Sequence, residues 1–197
     1  TTLLQTFAAL AVSSIAGYGF EIYHDKAKDT VMAILMLAMM VPFVAVLVPL
    51  FQMFTKAKLI NSWTGFILPS IATPFLIMYF RNSARSFPRD TLEAARIDGL
   101  NEFQIFIRMF IPMMKPTYAS AATITFMGAW NAYLWPKVIM QTNEAITMPM
   151  LVANTMGGYV IDYGVVMAAV TICSLPTVII FFCLQKSFTN AVAGAVK

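Results

Sequence analysis

Charge is scarce in this chain. Among 197 residues only 13 are basic and 9 acidic, a charged fraction of 11%, where soluble domains carry about 25%. There is one histidine, His24, and there are two cysteines, Cys173 and Cys183. A single histidine cannot build an H-E-x-x-H zinc helix, and it leaves a serine or cysteine nucleophile without a convincing base. The cysteines lie ten positions apart in one apolar run, with neither metal-ligand spacing nor a disulfide framework, so both are read as small packing residues. No G-x-x-x-x-G-K-[ST] loop is present to cradle a nucleotide, and no G-x-S-x-G elbow. The chain therefore reads as neither an enzyme nor a motor, and no cofactor is expected in it.

What is abundant is apolar. The hydrophobic fraction is 59%, with 15 Met and 16 Phe, and the mean hydropathy is +0.75. Five runs lack any Asp, Glu, Lys or Arg: 1–20, 31–54, 62–80, 117–136 and 164–185. Each approaches the roughly 20 residues that cross a bilayer as a helix. Lipid offers the backbone no hydrogen bonds, so helices are the expected spans. The expectation is one all-α, polytopic transmembrane bundle over 1–197, with a polar segment at 81–116 and an opposite loop at 136–163. The chain opens at "TTLLQTFAAL", already inside an apolar run and without an initiator Met, so a preceding piece, in the form of a further span, is expected.

The basic residues orient the bundle. Lys26, Lys28, Arg81, Arg85, Arg89, Arg96, Arg108, Lys115, Lys186 and Lys197 fall on one side, against Lys56, Lys58 and Lys137 on the other. That bias places 21–30, 81–116 and the C-terminus in the cytoplasm. The net charge of +4 is then membrane anchoring, with no nucleic acid implied. Trp63, Trp130 and Trp135 fall near the outer span ends, where an interfacial belt belongs.

Prolines interrupt three spans, at Pro42, Pro49, Pro69, Pro74 and Pro176, while Ser13 and Gly17 form a small-residue packing face. Polar groups inside the runs are uncharged: Gln5, Gln52, Thr123, Thr125 and Thr171. Proton relays and ion-coupled carriers need ionisable groups at membrane depth. A path lined by amides and hydroxyls suits an uncharged, hydroxyl-rich solute, driven by energy from outside the chain.

The longest polar stretch is "RNSARSFPRDTLEAARIDGLNEFQIFIRMFIPMMKP", 81–116. Pro88 suits a first helical turn, and Asp90 complements the positive end of a helix dipole. A short helix through Glu93 to about Asp98 should end at Gly99 in the left-handed conformation. Asn101 and Gln104 form a capping box for a second helix, whose Phe103, Phe106, Ile107, Phe110 and Ile111 make one apolar stripe. Pro112 and Pro116 then break it. Helices this short are marginal alone in water and need a surface to dock on. The second can lie on the bundle. The first carries small Ala94 and Ala95 beside Glu93, so it either packs on its own bundle or offers a close approach to a partner.

"EAARIDGLNEFQIFIRMFIP" resembles the signature of inner-membrane permease subunits of binding-protein-dependent ABC importers. That pattern runs E-A-A, three residues, Gly, nine residues, I-x-L-P. Glu93, Ala94, Ala95, Gly99 and Pro112 match in place, while Met109 and Ile111 stand for the usual Ile and Leu. "AWNAYLWPKVI" at 129–139 and the ending "SFTNAVAGAVK" are similar to the carbohydrate branch, which includes maltose and glycerol-phosphate importers. The resemblance covers almost the whole chain. Relative to a six-span maltose-type permease it lacks the first span.

The resemblance implies a type I importer permease fold and a coupling helix gripped by a separate ATPase, with Glu93, Ala94, Ala95 and Gly99 matched and Asp98 accessory. It also implies a second permease subunit, two ATP-binding subunits that carry ATP and Mg, and an extracytoplasmic solute-binding protein. Met156, Gly157, Gly158 and Tyr159 stand at the tip expected to meet that protein, the alternative being a plain connector. Asn131 and Tyr133, between Trp130 and Trp135, are candidates for the solute path, against a belt or packing role. An amino-acid or peptide importer, and a scaffold that only docks through 81–116, remain the alternatives.

Overall fold

The computed structural model describes residues 1–142, 146–157 and 161–194, with 184–194 described by backbone alone. Every regular element among them is helical. α1 (Thr2–Ile22) is followed by α2 (Lys26–Ala38) and α3 (Phe43–Lys56). α4 (Trp63–Ile67) passes through a 3-10 turn, Leu68–Ser70, towards α5 (Pro74–Ala84). The polar segment holds α6 (Arg89–Ile97) and α7 (Glu102–Ile105), and a π turn, Phe106–Phe110, leads from α7 into α8 (Ile111–Met113). α9 (Lys115–Trp130), α10 (Leu134–Ile139), α11 (Met148–Thr155) and α12 (Tyr163–Gly194) complete the chain.

Two helical stretches, Thr2–Ile22 and Tyr163–Cys183, are long and apolar enough to cross a membrane unaided. Two bent pairs meet the same test together: α2 with α3, at 101°, and Trp63–Ser70 with α5, at 48°. The run 31–54, continuous in hydropathy, is thus two rods. Pro42 is the cause: its ring disfavours helix at Val41, and with no N–H it starts α3 as an extended N-cap, φ −65° and ψ 136°. The 48° bend has the same origin, with Thr73 extended just before Pro74. α9 ends at Trp130, short of the expected 136, and 134–139 is a separate helix.

α1, α5 and α9 make the centre. Ser13 and Ser14 are buried on α1, and Gly17 lies where a Cβ would come 2.6 Å from the Phe80 Cβ and 2.8 Å from the Ile77 carbonyl oxygen. Only glycine admits α5 that closely, so the Ser13–Gly17 face does pack helix on helix. Ala9, Leu76, Phe80 and Ala121 fill the adjoining core.

Two prolines leave carbonyls that tryptophans satisfy or approach. Pro69 cannot donate to the Gly65 carbonyl, and Trp135 Nε1 donates to Gly65 and Phe66 oxygens at 3.2 Å each. Trp135 is buried, edge-on to Phe54, so it is a core residue rather than part of a belt. Trp130 Nε1 donates to the Cys173 carbonyl at 2.8 Å, in the turn before Pro176. Trp63 alone of the three is well exposed.

Candidate coupling site

Pro88 precedes α6 as its N-cap, one position earlier than the first turn expected of it, while Asp90 does occupy that turn. Leu92 and Ala95, three apart, bury one stripe of α6 against Tyr18, Ala84 and Phe87. Glu93, Ala94, Arg96, Asp98 and Gly99 face outward. The four matched residues and the accessory Asp98 are therefore not one surface. Ala95 is 2% exposed and serves as the seat of the helix, whereas Glu93 and Ala94 are offered to a partner.

Gly99 has φ +80°, and its amide donates to the Arg96 carbonyl at 3.1 Å while the Leu100 amide donates to Ala95 at 3.1 Å. These two bonds form a Schellman motif, the ending expected of a glycine here. Beyond it the Gln104 amide donates to Asn101 Oδ1 at 2.9 Å and the Asn101 amide to Gln104 Oε1 at 3.0 Å, a complete capping box. Arg96 Nε donates to Glu102 Oε1 at 2.8 Å, tying α6 to α7 across the turn. That guanidinium, helped by the Tyr23 hydroxyl, holds the Glu102 carboxyl below its ordinary value of 4.5. Burial and then Glu102 push Tyr23 up. The Arg96–Glu102 pair was not foreseen, since six residues separate partners on two different helices.

The apolar stripe of the second helix differs from expectation. Ile105, Phe106, Phe110 and Met114 are buried, whereas Phe103 and Ile107 are exposed. The π turn over 106–110 is the reason. Its wider winding, in the turn before Pro112, which cannot donate to Arg108, sets Phe106 and Phe110 one above the other, ring centroids 5.5 Å apart. Tyr18 of α1 meets both edge-on, at 5.2 and 4.8 Å, and Phe87 meets Phe110 at 5.6 Å. The α6–α7 unit is thereby clamped to the ends of α1 and α5. Ile97, 86% exposed, is an outward residue the sequence reading passed over. An isoleucine between Arg96 and Asp98, on a helix whose other outward residues are polar or small, was its signal.

Beneath α6, Arg81 is buried among carboxylates. Its guanidinium bonds Asp29 of α2 at 2.6 Å and Glu21 of α1 at 3.4 Å, and Arg85 also reaches Glu21 at 3.4 Å. His24 pairs with Asp29 at 3.0 Å in the open loop expected of it. Three helices meet at this hub, and a cavity of about 130 Å³ between it and α6 is lined by Glu21, Arg85, Arg89, Glu93 and Arg96.

The other candidates lie apart from α6. Asn131 is exposed and donates to the Met127 carbonyl at 2.9 Å, and Tyr133 is exposed at the start of α10. Neither lines the cavity formed by Gln5, Ser70, Thr73 and Thr125. Met156 and Gly157 are exposed after α11, while Gly158 and Tyr159 lie outside the described residues.

A family model for the inner membrane component of binding-protein-dependent transport systems matches residues 9–194. The lactose transport system permease protein of Rhizobium radiobacter is 41% identical over 99% of this chain and 71% of its own length. The arabinooligosaccharides transport system permease protein of Bacillus subtilis is 35% identical over 99% of this chain and 70% of its own. Among solved structures, a bacterial ABC transporter that imports the acidic polysaccharide alginate superposes with TM-score 0.81 at 23% identity, over 95% of this chain and 72% of that one; this likeness concerns the fold. The chain belongs to the family of binding-protein-dependent inner-membrane permeases, as a multi-pass component of an ABC importer.

Proposed function

We propose that this chain forms half of the translocation path of an ATP-driven importer for a neutral sugar or oligosaccharide, and takes its stroke from a separate ATPase through α6. The carrying observation is that α6 is held rigidly by Leu92, Ala95 and the Gly99 turn while presenting Glu93, Ala94 and Ile97 outside the bundle. Basic residues concentrated at 21–30 and 81–116 support a cytoplasmic position for α6, with the C-terminus on the same side.

In this reading a second permease completes the path, two ATP-binding subunits hold ATP and Mg, and an extracytoplasmic solute-binding protein delivers the sugar. Closure of the ATPases moves the α6–α7 unit as a rigid body. The Tyr18, Phe87, Phe106 and Phe110 cluster passes that motion to α1 and α5. The sugar class is supported by the lactose and arabinooligosaccharide relatives and by the five apolar runs that carry no charge. Glu93→Arg in the reconstituted transporter is expected to abolish hydrolysis stimulated by the binding protein while the complex still inserts. Stimulation at the unsubstituted level would reject the coupling role.

A further inference from the structure

Some buried hydroxyls near the centre of the bundle are spent on their own helices: Ser120 donates to the Pro116 carbonyl at 3.1 Å and Thr123 to Ala119 at 2.9 Å, whereas Thr6 Oγ1 and Ser13 Oγ are without a partner among the described residues. Gln5 differs from these in lining a cavity. It is 6% exposed on α1, and its Oε1 has no hydrogen-bond partner among the described residues. An unpaired buried amide oxygen costs about 1–3 kcal/mol, so something polar is expected to meet it. Gln5 lines a cavity of about 240 Å³, together with hydroxyl-bearing Ser70, Thr73 and Thr125 and the apolar Phe75 and Ile124.

The break in the third span opens onto the same cavity. Pro74 cannot donate to the Ser70 carbonyl, and residues 71–73 are non-helical between the Leu68–Ser70 turn and α5. Irregular backbone at membrane depth is tolerated where it is buried in protein or lines a water-filled space. The wall on α9 is equally telling. A Cβ on Gly128 would meet no atom within 4 Å, so that side of the cavity is open space.

We propose that this cavity between α1, α5 and α9 is a hydrated subsite on this subunit for one ring of a neutral sugar, with the Gln5 amide as its principal hydrogen-bonding group. The volume is ample for several waters. It falls below the about 300–1,000 Å³ of drug-sized sites, so it takes a single ring rather than a whole oligosaccharide. No charged side chain lines it, which disfavours phosphorylated or acidic solutes. Phe75 and Ile124 offer apolar surface to the C–H face of the ring while Gln5 and the hydroxyls meet its O–H groups. A second cavity, of about 110 Å³, shares Ala129 as a wall. It is lined by Trp63 and Trp130, and by Thr147, whose Oγ1 is likewise buried without a partner among the described residues. The subsite rests on the sugar-importer reading above.

Thiol labelling tests it. Thr125→Cys and, separately, Gly128→Cys are placed in the full chain with Cys173→Ala and Cys183→Ala, in membrane vesicles holding the whole transporter. A charged, membrane-impermeant thiol reagent is expected to label both introduced thiols. Ile15→Cys, on the exposed apolar face of α1, stays unlabelled. Lactose or arabinotriose slows labelling several-fold, sn-glycerol-3-phosphate does not, and Gln5→Leu weakens the protection by about tenfold. Labelling at 125 and 128 no faster than at 15 would overturn the subsite, as would labelling that neither sugar slows more than the phosphate does. So would full protection in Gln5→Leu. None of these readouts requires ATP hydrolysis, so a failure of ATP-driven uptake in the unsubstituted transporter would count against the importer reading alone.

Discussion

Arg96 and Glu102 meet at 2.8 Å across the Gly99 turn, so the two short helices of the polar segment move as one piece. Both side chains are partly exposed, and such pairs contribute about 0.2–1 kcal/mol. Glu102→Gln should therefore barely change global stability, while amide exchange at Leu100 and Asn101 rises several-fold. The Glu102 pKa is lowered in the folded state. The pair's contribution is thus present above its ordinary value of 4.5 and is lost as pH falls below that. Exchange at Leu100 measured from neutral pH down to about 3, corrected for intrinsic rates, should show the loss in the unsubstituted chain and not in Glu102→Gln.

Gly99 is needed for its conformation and not for space, because a Cβ there meets nothing within 4 Å while φ is +80°. Gly99→Ala should cost about 1–2 kcal/mol of local stability and Gly99→Asn less. Thermal unfolding of the purified complex, with stimulated hydrolysis measured alongside, checks the order Gly, Asn, Ala.

Gly17 is the opposite case. A Cβ there would come 2.6 Å from the Phe80 Cβ and 2.7 Å from the Arg81 amide nitrogen, atoms that cannot swing aside. Gly17→Ala should destabilise by about 1–3 kcal/mol through overpacking. Gly19→Ala, two residues on and open on its outer side, should be neutral or stabilising. Melting temperatures of the two variants in the same detergent decide it.

The tightest boundaries in the sequence were those set by local chemistry. Gly99, Asn101 and Gln104 each force a particular backbone or cap, and the structure has the turn and the capping box where they stand. What was illegible depends on long-range fit or on winding. The π turn rotates Phe103 and Ile107 out of the stripe that regular α periodicity assigns them to. Hydropathy averages over Pro42, so 31–54 reads as one run although the chain turns by 101° there. Ala94 and Ala95 are identical side chains one position apart, and only packing against Tyr18 and Phe87 shows which is seat and which is surface. Of the five uncharged polar residues read as lining a path, Gln5 and Thr125 line one cavity, whereas Thr123 and Thr171 donate to their own helices and Gln52 is exposed, a division that composition alone does not reveal.

Arg81 carries the buried charge of the hub. Its side chain is 7% exposed, and removing it would leave the partly buried Glu21 beside one solvent-screened cation, Arg85. Arg81→Met should cost about 3–5 kcal/mol, and Arg85→Met, at an exposed position, under about 1 kcal/mol. Combining Arg81→Met with Glu21→Gln should recover part of the loss, which a chemical-denaturation cycle over the four proteins measures.

Contact between α6 and the ATPase is the central claim, and cysteine crosslinking tests it most directly. With Cys173 and Cys183 replaced, Ala94→Cys and Leu92→Cys present an outward and a buried position two residues apart on the same helix. In native membranes a short bifunctional thiol reagent should join the Ala94→Cys protein, and not the Leu92→Cys protein, to the ATP-binding subunit, with a yield that changes when ATP is trapped. Equal failure at both positions, in a transporter that still hydrolyses ATP in response to its binding protein, would contradict the account.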